Sequence, residues 1–330
     1  MLNPGEVGGE SETSAPLAPA PSASALYRIR RWALRLVPLA LLAAAGAVLW
    51  REFHHLNFSD VGRAMADWGG VRIGLALLLS AFSFFLMGVV EWLGMRWCGA
   101  RAPWPAVLGG SCLANAIAHS VGANLLVSGA VRARIYDRYG VSLAQVAVTT
   151  LFGGMSFAVG LAALGGSGLA FASRAQIEAT AIPLGLARAL GYGLVAVAIS
   201  YILVCAFRRS PLVVRGRRLA LPSSGDAAAQ VIVGVVDNAV AAAIIWLLLP
   251  VGAVHYETFV GAYAVAAVAG LVSTVPGGAG VFEGSISALL PETPTAPLAA
   301  AFLGYRLAYY LLPLVIACIA LGIDTLRHRR

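Results

Sequence analysis

Long apolar runs alternate along the chain with short stretches rich in Gly, Pro or Arg. The apolar runs cover residues 36–50, 73–95, 105–128, 143–164, 185–207, 230–250, 257–275, 281–290 and 298–323. A helix needs about 20 mainly apolar residues to cross about 30 Å of hydrocarbon. Most of the runs approach or exceed that length. The pattern therefore predicts an all-α, polytopic integral membrane protein.

Two of the runs are poor candidates for simple crossings. The run 281–290 spans only about 15 Å as a helix and follows the breaker TVPGGAG. Residues 115–129 carry polar and small residues at the middle of a run. We therefore interpret 105–130 and 257–290 as two re-entrant helical hairpins, beside about six spanning helices. In the second hairpin, the re-entrant loop is assigned to Pro276, Gly277, Gly278 and Gly280.

Arginine placement orients this arrangement, because arginine-rich short loops lie on the cytoplasmic side. With a hairpin at 105–130, seventeen arginines fall inside, including Arg132, Arg134 and Arg138, and five fall outside. Arg306 is then the one arginine left within a span. Both termini are predicted to be cytoplasmic. Span, hairpin and span (73–164) recur upside down in 230–323, an inverted repeat of the kind that places transporter substrates near the midplane.

Composition sharpens these assignments. Apolar residues make up 59% of the chain and charged residues 12%, which excludes an ordinary soluble domain. All 23 basic residues are arginines in clusters between apolar runs, so they indicate membrane orientation and no nucleic-acid partner. Residues 1–25 are rich in Pro, Ser, Ala and Gly and predict a disordered tail, before a single membrane domain over 26–330. We interpret 36–50 as an uncleaved anchor, with a cleaved signal peptide as the alternative.

Ionisable residues within apolar segments are candidates for function, because a charge in hydrocarbon needs a partner or a water-filled path. Glu91 is one, although it could be an interfacial residue with Arg96 a little over one turn away. Asp237 is another, for which a structural hydrogen bond between helices is an equal alternative. His119 lies with Asn115 in the first hairpin. A histidine among small residues is more often a satisfied interior donor than a ligand.

The second hairpin and the last span carry the strongest candidates. Glu283 begins a half-helix directly after PGGAGVF, where the positive helix end favours a carboxylate or an anionic ligand; a purely local cap is the alternative. Arg306 is suited to a carboxylate or a phosphate, because its guanidinium is planar and forked. Tyr305 and Tyr309 follow helical spacing around Arg306 and could also be ordinary packing residues with a polar tip.

Signatures of catalysis and of ATP-driven pumping are missing. The chain has no GxxxxGK[ST] loop, no HExxH and no GxSxG. Its four cysteines stand singly, which predicts neither a disulfide nor a metal site. We therefore expect a transporter without a cofactor and not an enzyme.

Several segments resemble a known family, the membrane (flippase) domain of bacterial lysylphosphatidylglycerol synthetase/flippase proteins. The resemblance covers about residues 27–323 and is carried by WREFHHLNFSDV, EWLGMRW, NAIAHSVGANLLVSGAVRARIYDRYGVS, VSTVPGGAGVFEGSI and GYRLAYYLLP. It implies movement of aminoacylated phosphatidylglycerol between leaflets, with Glu91, Glu283 and Arg306 important for it. Full-length members continue into further spans and an aminoacyl transfer domain, whereas this chain stops at Arg330. We therefore expect that it does not make lysyl lipid itself.

The leading hypothesis is a lipid flippase or transporter of the bacterial inner membrane. Its partners would be membrane phospholipids, with a separate lipid-modifying enzyme and self-association into a homo-oligomer as further hypotheses. One alternative is a non-transporting scaffold for a lipid-modifying enzyme, since arginine-rich loops also suit anionic lipid. The other is an intramembrane transferase acting on a lipid headgroup.

Overall fold

Helices account for nearly all of the chain that is described in the computed structural model. The described residues are 58–121, 124–178, 182–208, 212–214, 217–219, 221–273, 278 and 280–327. The predicted tail 1–25, the predicted first span 36–50 and the loop residues Pro276 and Gly277 lie outside them.

The elements follow one another in a simple order. The helices are α1 (Phe58–Ala66), α2 (Gly69–Trp97), α3 (Trp104–Val121), α4 (Asn124–Tyr136), α5 (Leu143–Phe171), α6 (Arg174–Glu178), α7 (Leu184–Phe207), α8 (Ser224–Leu248), α9 (Tyr256–Val272), α10 (Val281–Leu289), α11 (Thr295–Tyr305) and α12 (Leu312–Arg327). A 3₁₀ turn (Asp137–Tyr139) follows α4, and a π-helical segment (Arg306–Leu311) joins α11 to α12. Between α7 and α8, strands β1 (Leu212–Val214) and β2 (Arg217–Leu219) form a small antiparallel ribbon.

Five helical stretches are long and apolar enough to cross a bilayer. They are Gly69–Trp97, Leu143–Phe171, Leu184–Phe207, Ser224–Leu248 and Thr295–Ile323. Large apolar side chains are exposed along them, as at Leu78, Leu151 and Ile232, where contact with water would be unfavourable and contact with lipid is not. The chain is therefore a polytopic α-helical membrane protein, as predicted. The number of crossings and the re-entrant character of the hairpins stay predictions, because no membrane is present.

Two halves of the molecule share one pattern of packing. In the first half, the hairpin α3/α4 packs against both flanking long helices, α2 and α5. In the second half, the hairpin α9/α10 likewise contacts α8 and α11. One further long helix, α7, separates the halves. The two halves share this packing, and the inversion of the second half stays a prediction.

Helix boundaries differ from the prediction in two loops. The Gly-rich stretch 165–184 lies between two predicted apolar runs, 143–164 and 185–207, but α5 continues through Phe171. The helix persists there because α7 packs closely on it: a Cβ at Gly191 would lie 2.5 Å from the Ala170 nitrogen, so the small residues permit a backbone contact. The stretch between the predicted runs 36–50 and 73–95 contains α1, which packs on α11. Trp68 Nε1 donates to the Leu248 carbonyl at 2.8 Å.

Side-chain caps define the starts of two spans. Ser142 precedes α5 and accepts a hydrogen bond from the Gln145 backbone N–H, while the Gln145 side chain accepts one from the Ser142 N–H. Ser223 similarly accepts from the Asp226 N–H at the start of α8. These caps satisfy backbone donors that a helix start leaves without partners. Both spans consequently begin at defined residues.

Candidate functional site

A buried ion pair joins the first hairpin to the helix before it. Arg132 of α4 donates through Nε to both carboxylate oxygens of Glu91 at 2.8 Å, and its Nη2 lies 2.7 Å from Glu91 Oε2. Glu91 and Arg132 are only 3% and 6% exposed. Tyr136 donates to Glu91 Oε1 at 2.7 Å, and the Asn115 Oδ1 accepts from Arg132 Nη2 at 3.4 Å. The charges are therefore paired and further hydrogen-bonded, as burial in a low dielectric requires.

Arg132 corrects the sequence-based topology. It was assigned to a cytoplasmic loop among the orientation arginines, whereas α4 extends to Tyr136 and buries its side chain. Arg96, proposed as the neighbour of Glu91, is exposed and pairs instead with Asp226 of α8 at 2.9 Å. The burial of Glu91 argues against the alternative that its side chain reaches headgroup water.

A second buried ion pair joins the other hairpin to the last span. Glu283 Oε1 accepts hydrogen bonds from Arg306 Nε at 2.9 Å and from Nη2 at 2.6 Å. Glu283 is 6% exposed and Arg306 3% exposed. The other carboxylate oxygen of Glu283 accepts from the Gly280 N–H at 3.1 Å, and the Arg306 guanidinium lies 4.8 Å from the centre of the Tyr310 ring. Glu283 is thus both a helix cap and the partner of Arg306.

The backbone is irregular on both sides of this second pair. Gly278 and Gly280 have φ of 65° and 79°, a region that residues with a Cβ rarely adopt, so the chain breaks between α9 and α10 as the PGGAG motif predicts. Opposite them, Arg306 begins the π-helical segment. In a π-helix, the Ala308 carbonyl would accept a hydrogen bond from the backbone N–H of residue 313, but Pro313 has no N–H. The Ser80 hydroxyl donates to this carbonyl at 2.9 Å instead.

A chain of polar side chains lies in the interior beside the second pair. The Ser83 hydroxyl of α2 hydrogen-bonds the Asp237 carboxyl of α8, and it lies 2.8 Å from the Tyr309 hydroxyl. Tyr309 stacks on Tyr305 with ring centres 5.1 Å apart, and on His119 with ring centres 5.7 Å apart. The four elements α2, α3, α8 and the π-helical segment therefore meet at one polar and aromatic cluster.

The predicted residues fall into two groups. Direct contacts connect Glu283, Arg306, Tyr305, Tyr309, His119 and Asp237 through Tyr310 and Ser83. Glu91 and Asn115 belong to the other group, around Arg132. His119 was expected to be a satisfied donor if it had no function, but its Nδ1 is buried without a hydrogen-bond partner in the described part of the chain.

Three residues of these groups were missed from the sequence. Ser83 carries no charge and is one of many serines in apolar runs. Arg132 and Tyr136 stand one helical turn apart, a spacing that places them on one face, but this face was taken as a loop. A search for helical spacing across residues 124–136 would have found them.

Comparison with known proteins identifies the family of this chain. Residues 35–317 match the family model described as the lysylphosphatidylglycerol synthase TM region. The chain belongs to this family. It is 29% identical over 314 residues to slr0712 of Synechocystis sp., covering 93% of this chain and 96% of that protein. It is also 29% identical over 282 residues to the inner membrane protein YbhN of Escherichia coli, covering 80% and 83% of the two chains.

The family match covers both halves of the molecule, and not only the second half, where the most specific motifs lie. The matched region takes in both hairpins and both ion pairs. It confirms the family resemblance drawn from the sequence. The protein is a membrane protein of a family concerned with lipids.

Proposed function

We propose that this protein is a lipid flippase of the bacterial inner membrane and that the Glu283–Arg306 pair is its headgroup site. The observation that carries the proposal is a buried guanidinium held by a single carboxylate between two irregular backbone segments. The proposed role is transport and not catalysis. The relative YbhN is named an inner membrane protein, which supports the inner membrane as the location of this chain.

Arg306 would bind the phosphate of a phospholipid by exchanging partners. A guanidinium forms paired hydrogen bonds with phosphate as readily as with carboxylate. The exchange would leave Glu283 without its cation, and an uncompensated buried charge is costly, so Glu283 must gain other partners in the same step. Glu283 would remain stabilised by the Gly280 N–H and by the N-terminal end of α10, and could meet a cationic group on the headgroup.

The two hairpins would supply alternating access to this site. In transporters with inverted repeats, one repeat moves against the other around a site near the midplane. Here the first hairpin would be fixed to α2 by the Glu91–Arg132 pair, and the second would move about Gly278 and Gly280. The proposed topology has both termini in the cytoplasm. The substrate would be an aminoacylated phosphatidylglycerol or a related phospholipid.

The test is a flipping assay in proteoliposomes of phosphatidylethanolamine and phosphatidylglycerol. Phosphatidylglycerol labelled on a short acyl chain is followed by dithionite bleaching of the outer leaflet. We expect Arg306→Ala to reduce flipping to the rate of protein-free vesicles. Arg96→Ala is the matched control, because Arg96 is an exposed arginine in a surface pair and should flip lipid at the wild-type rate.

Two results would overturn the proposal. Undiminished flipping by Arg306→Ala would remove the residue from the site. Absence of flipping by the wild-type protein, together with co-purification of a lipid-modifying enzyme, would favour the scaffold hypothesis. Native mass spectrometry of lipid bound to the wild-type protein and to Arg306→Ala identifies the substrate independently of transport.

A further inference from the structure

Three polar side chains meet at the middle of three long apolar helices. Ser83 and Tyr309 are the central residues of the 29-residue stretches Gly69–Trp97 and Thr295–Ile323, and Asp237 is one residue past the centre of the 25-residue α8. A helix rises about 1.5 Å per residue, so the centre of such a helix lies deepest in the bilayer. Asp237 is therefore a carboxyl group at about mid-depth.

No cationic side chain in the described part of the chain pairs with Asp237. Within the described residues, its only hydrogen bond is with the Ser83 hydroxyl. Both other interior carboxylates have an arginine, Arg132 for Glu91 and Arg306 for Glu283. An ionised carboxylate with a single hydroxyl donor is unfavourable at this depth, whereas the un-ionised acid is readily accommodated.

The groups that surround Asp237 are neutral. The titratable side chains that face it are Tyr309 of the π-helical segment and Tyr263 of α9. Among the described residues, the other helices packed on α8, namely α2, α5, α7 and α11, bring no charged group to it. His119 lies one ring further away, stacked on Tyr309.

The hydrogen-bond chain can report whether Asp237 carries a proton. Ser83 has one hydroxyl proton and two neighbours, the Asp237 carboxyl and the Tyr309 hydroxyl. If Asp237 is ionised, Ser83 must donate to it and can only accept from Tyr309. If Asp237 is protonated, it can donate to Ser83, which frees the Ser83 proton for Tyr309. Gain of one proton therefore allows the direction of both bonds to reverse.

We propose that Asp237 is a proton-binding site that couples a transmembrane proton gradient to lipid movement. The step is the formation and breaking of one O–H bond at the Asp237 carboxylate, with the proton taken from the aqueous phase on one side and released to the other. Tyr309 connects this site to the headgroup site, since it stacks on Tyr305, the residue before Arg306. The coupling rests on the proposed flippase function; proton binding does not.

The first test measures flipping under imposed gradients. In wild-type proteoliposomes, we expect a pH gradient to change the flipping rate by at least about fivefold relative to symmetric pH, the lower end of typical coupling energies. Asp237→Asn should flip at a single rate that the gradient does not alter. Asp226→Asn is the matched control, because Asp226 is a carboxylate of the same helix in a surface pair, and it should retain the wild-type response.

Outcomes of this test separate the two proposals. Wild-type flipping that ignores the pH gradient overturns the coupling and leaves the flippase function intact, as does a response to a sodium gradient at constant pH instead. A full pH response in Asp237→Asn also overturns it. Wild-type flipping no faster than that of empty vesicles contradicts the flippase function and, with it, the coupling.

The second test observes the proton without transport. Infrared spectra of the purified protein between about pH 5 and about pH 8, a range in which perturbed carboxyl groups titrate, should show the C=O stretching band of an un-ionised carboxylic acid. The band should vanish in Asp237→Asn and shift in Ser83→Ala, which removes its hydrogen bond. Identical spectra of wild type and Asp237→Asn in this region would refute proton binding at Asp237.

Discussion

The two hairpins are attached to the rest of the molecule by the same kind of ion pair in different surroundings. The pair Glu91–Arg132 lies between two continuous helices and has two further hydrogen-bond partners, Tyr136 and Asn115. The pair Glu283–Arg306 lies between a chain break and a π-helical segment. Regular helices hold the first pair in place. The second pair lies beside irregular backbone, which can change conformation with the loss of fewer helical hydrogen bonds.

This contrast separates a pair that stabilises the fold from the pair that is proposed to bind a headgroup. A buried pair alone is weak evidence for either, because its attraction and its desolvation nearly cancel. What distinguishes the second pair is the irregular backbone beside it, a π-helical segment on one side and two glycines with positive φ on the other. We infer that the first pair fixes a hairpin and the second binds the ligand.

Removing each pair as a whole is expected to give the largest contrast. Apolar replacement of both partners of a buried pair is often neutral for stability, so Glu91→Leu/Arg132→Met and Glu283→Leu/Arg306→Met should both fold. We expect the first double variant to flip lipid and the second to flip none. Flipping in proteoliposomes and melting temperature in detergent measure the two properties. Equal loss of flipping in both would abolish the distinction drawn between the pairs.

Removing one partner of the first pair should destabilise the fold. Arg132→Ala leaves Glu91 as an uncompensated buried charge, which costs about 3–5 kcal/mol. Thermal unfolding in detergent should show a corresponding drop in melting temperature, and much of the protein should aggregate during purification. Arg134→Ala, an exposed neighbour on the same helix, is the control and should melt like the wild type. A stable Arg132→Ala variant would mean that Glu91 has another way to be satisfied.

Loss of the tyrosine hydroxyl from the first pair should have a moderate effect. Tyr136→Phe removes the hydrogen bond to Glu91 at 2.7 Å and should lower the free energy of unfolding by about 1–3 kcal/mol. The flipping rate per folded protein should not change, because the hydroxyl supports the first hairpin alone. A reduced rate at unchanged stability would place Tyr136 in the transport pathway.

A side chain at the chain break should have the smallest effect on stability. Gly280→Ala forces an L-residue to adopt a φ of 79°, which costs about 1–2 kcal/mol. Gly284→Ala is the matched control, since Gly284 is helical and its Cβ would meet no atom within 4 Å. We expect slower flipping in Gly280→Ala than in Gly284→Ala. Identical flipping rates would show that the break does not move during transport.

Much of the fold followed from the sequence because the length of an apolar run is a local property. The five long helices, the break at PGGAG and the pairing of the second hairpin with the last span each depend on a run or a motif visible in one segment. The Glu283–Arg306 contact could be anticipated because an isolated buried arginine demands a partner. The resemblance to a known family pointed to the same residues.

The rest depended on distances that the sequence does not contain. Arg132 resembled an orientation arginine because the end of α4 was placed too early, and its partner Glu91 lies 41 residues away. Ser83 gave no sign of its position between Asp237 and Tyr309, because a serine in an apolar helix usually bonds within its own helix. The helical continuation of α5 through a Gly-rich stretch likewise depends on α7, which the local sequence cannot show.

The π-helical segment gives the last span two orientations in one helix. A helix turns about 100° per residue, so one surplus residue between α11 and α12 puts the faces before and after it out of phase by that angle. Before it, α11 faces α1 and α8; after it, α12 faces α3 of the other half. One continuous helical stretch thereby contacts both halves of the molecule, and Arg306 lies where its orientation changes.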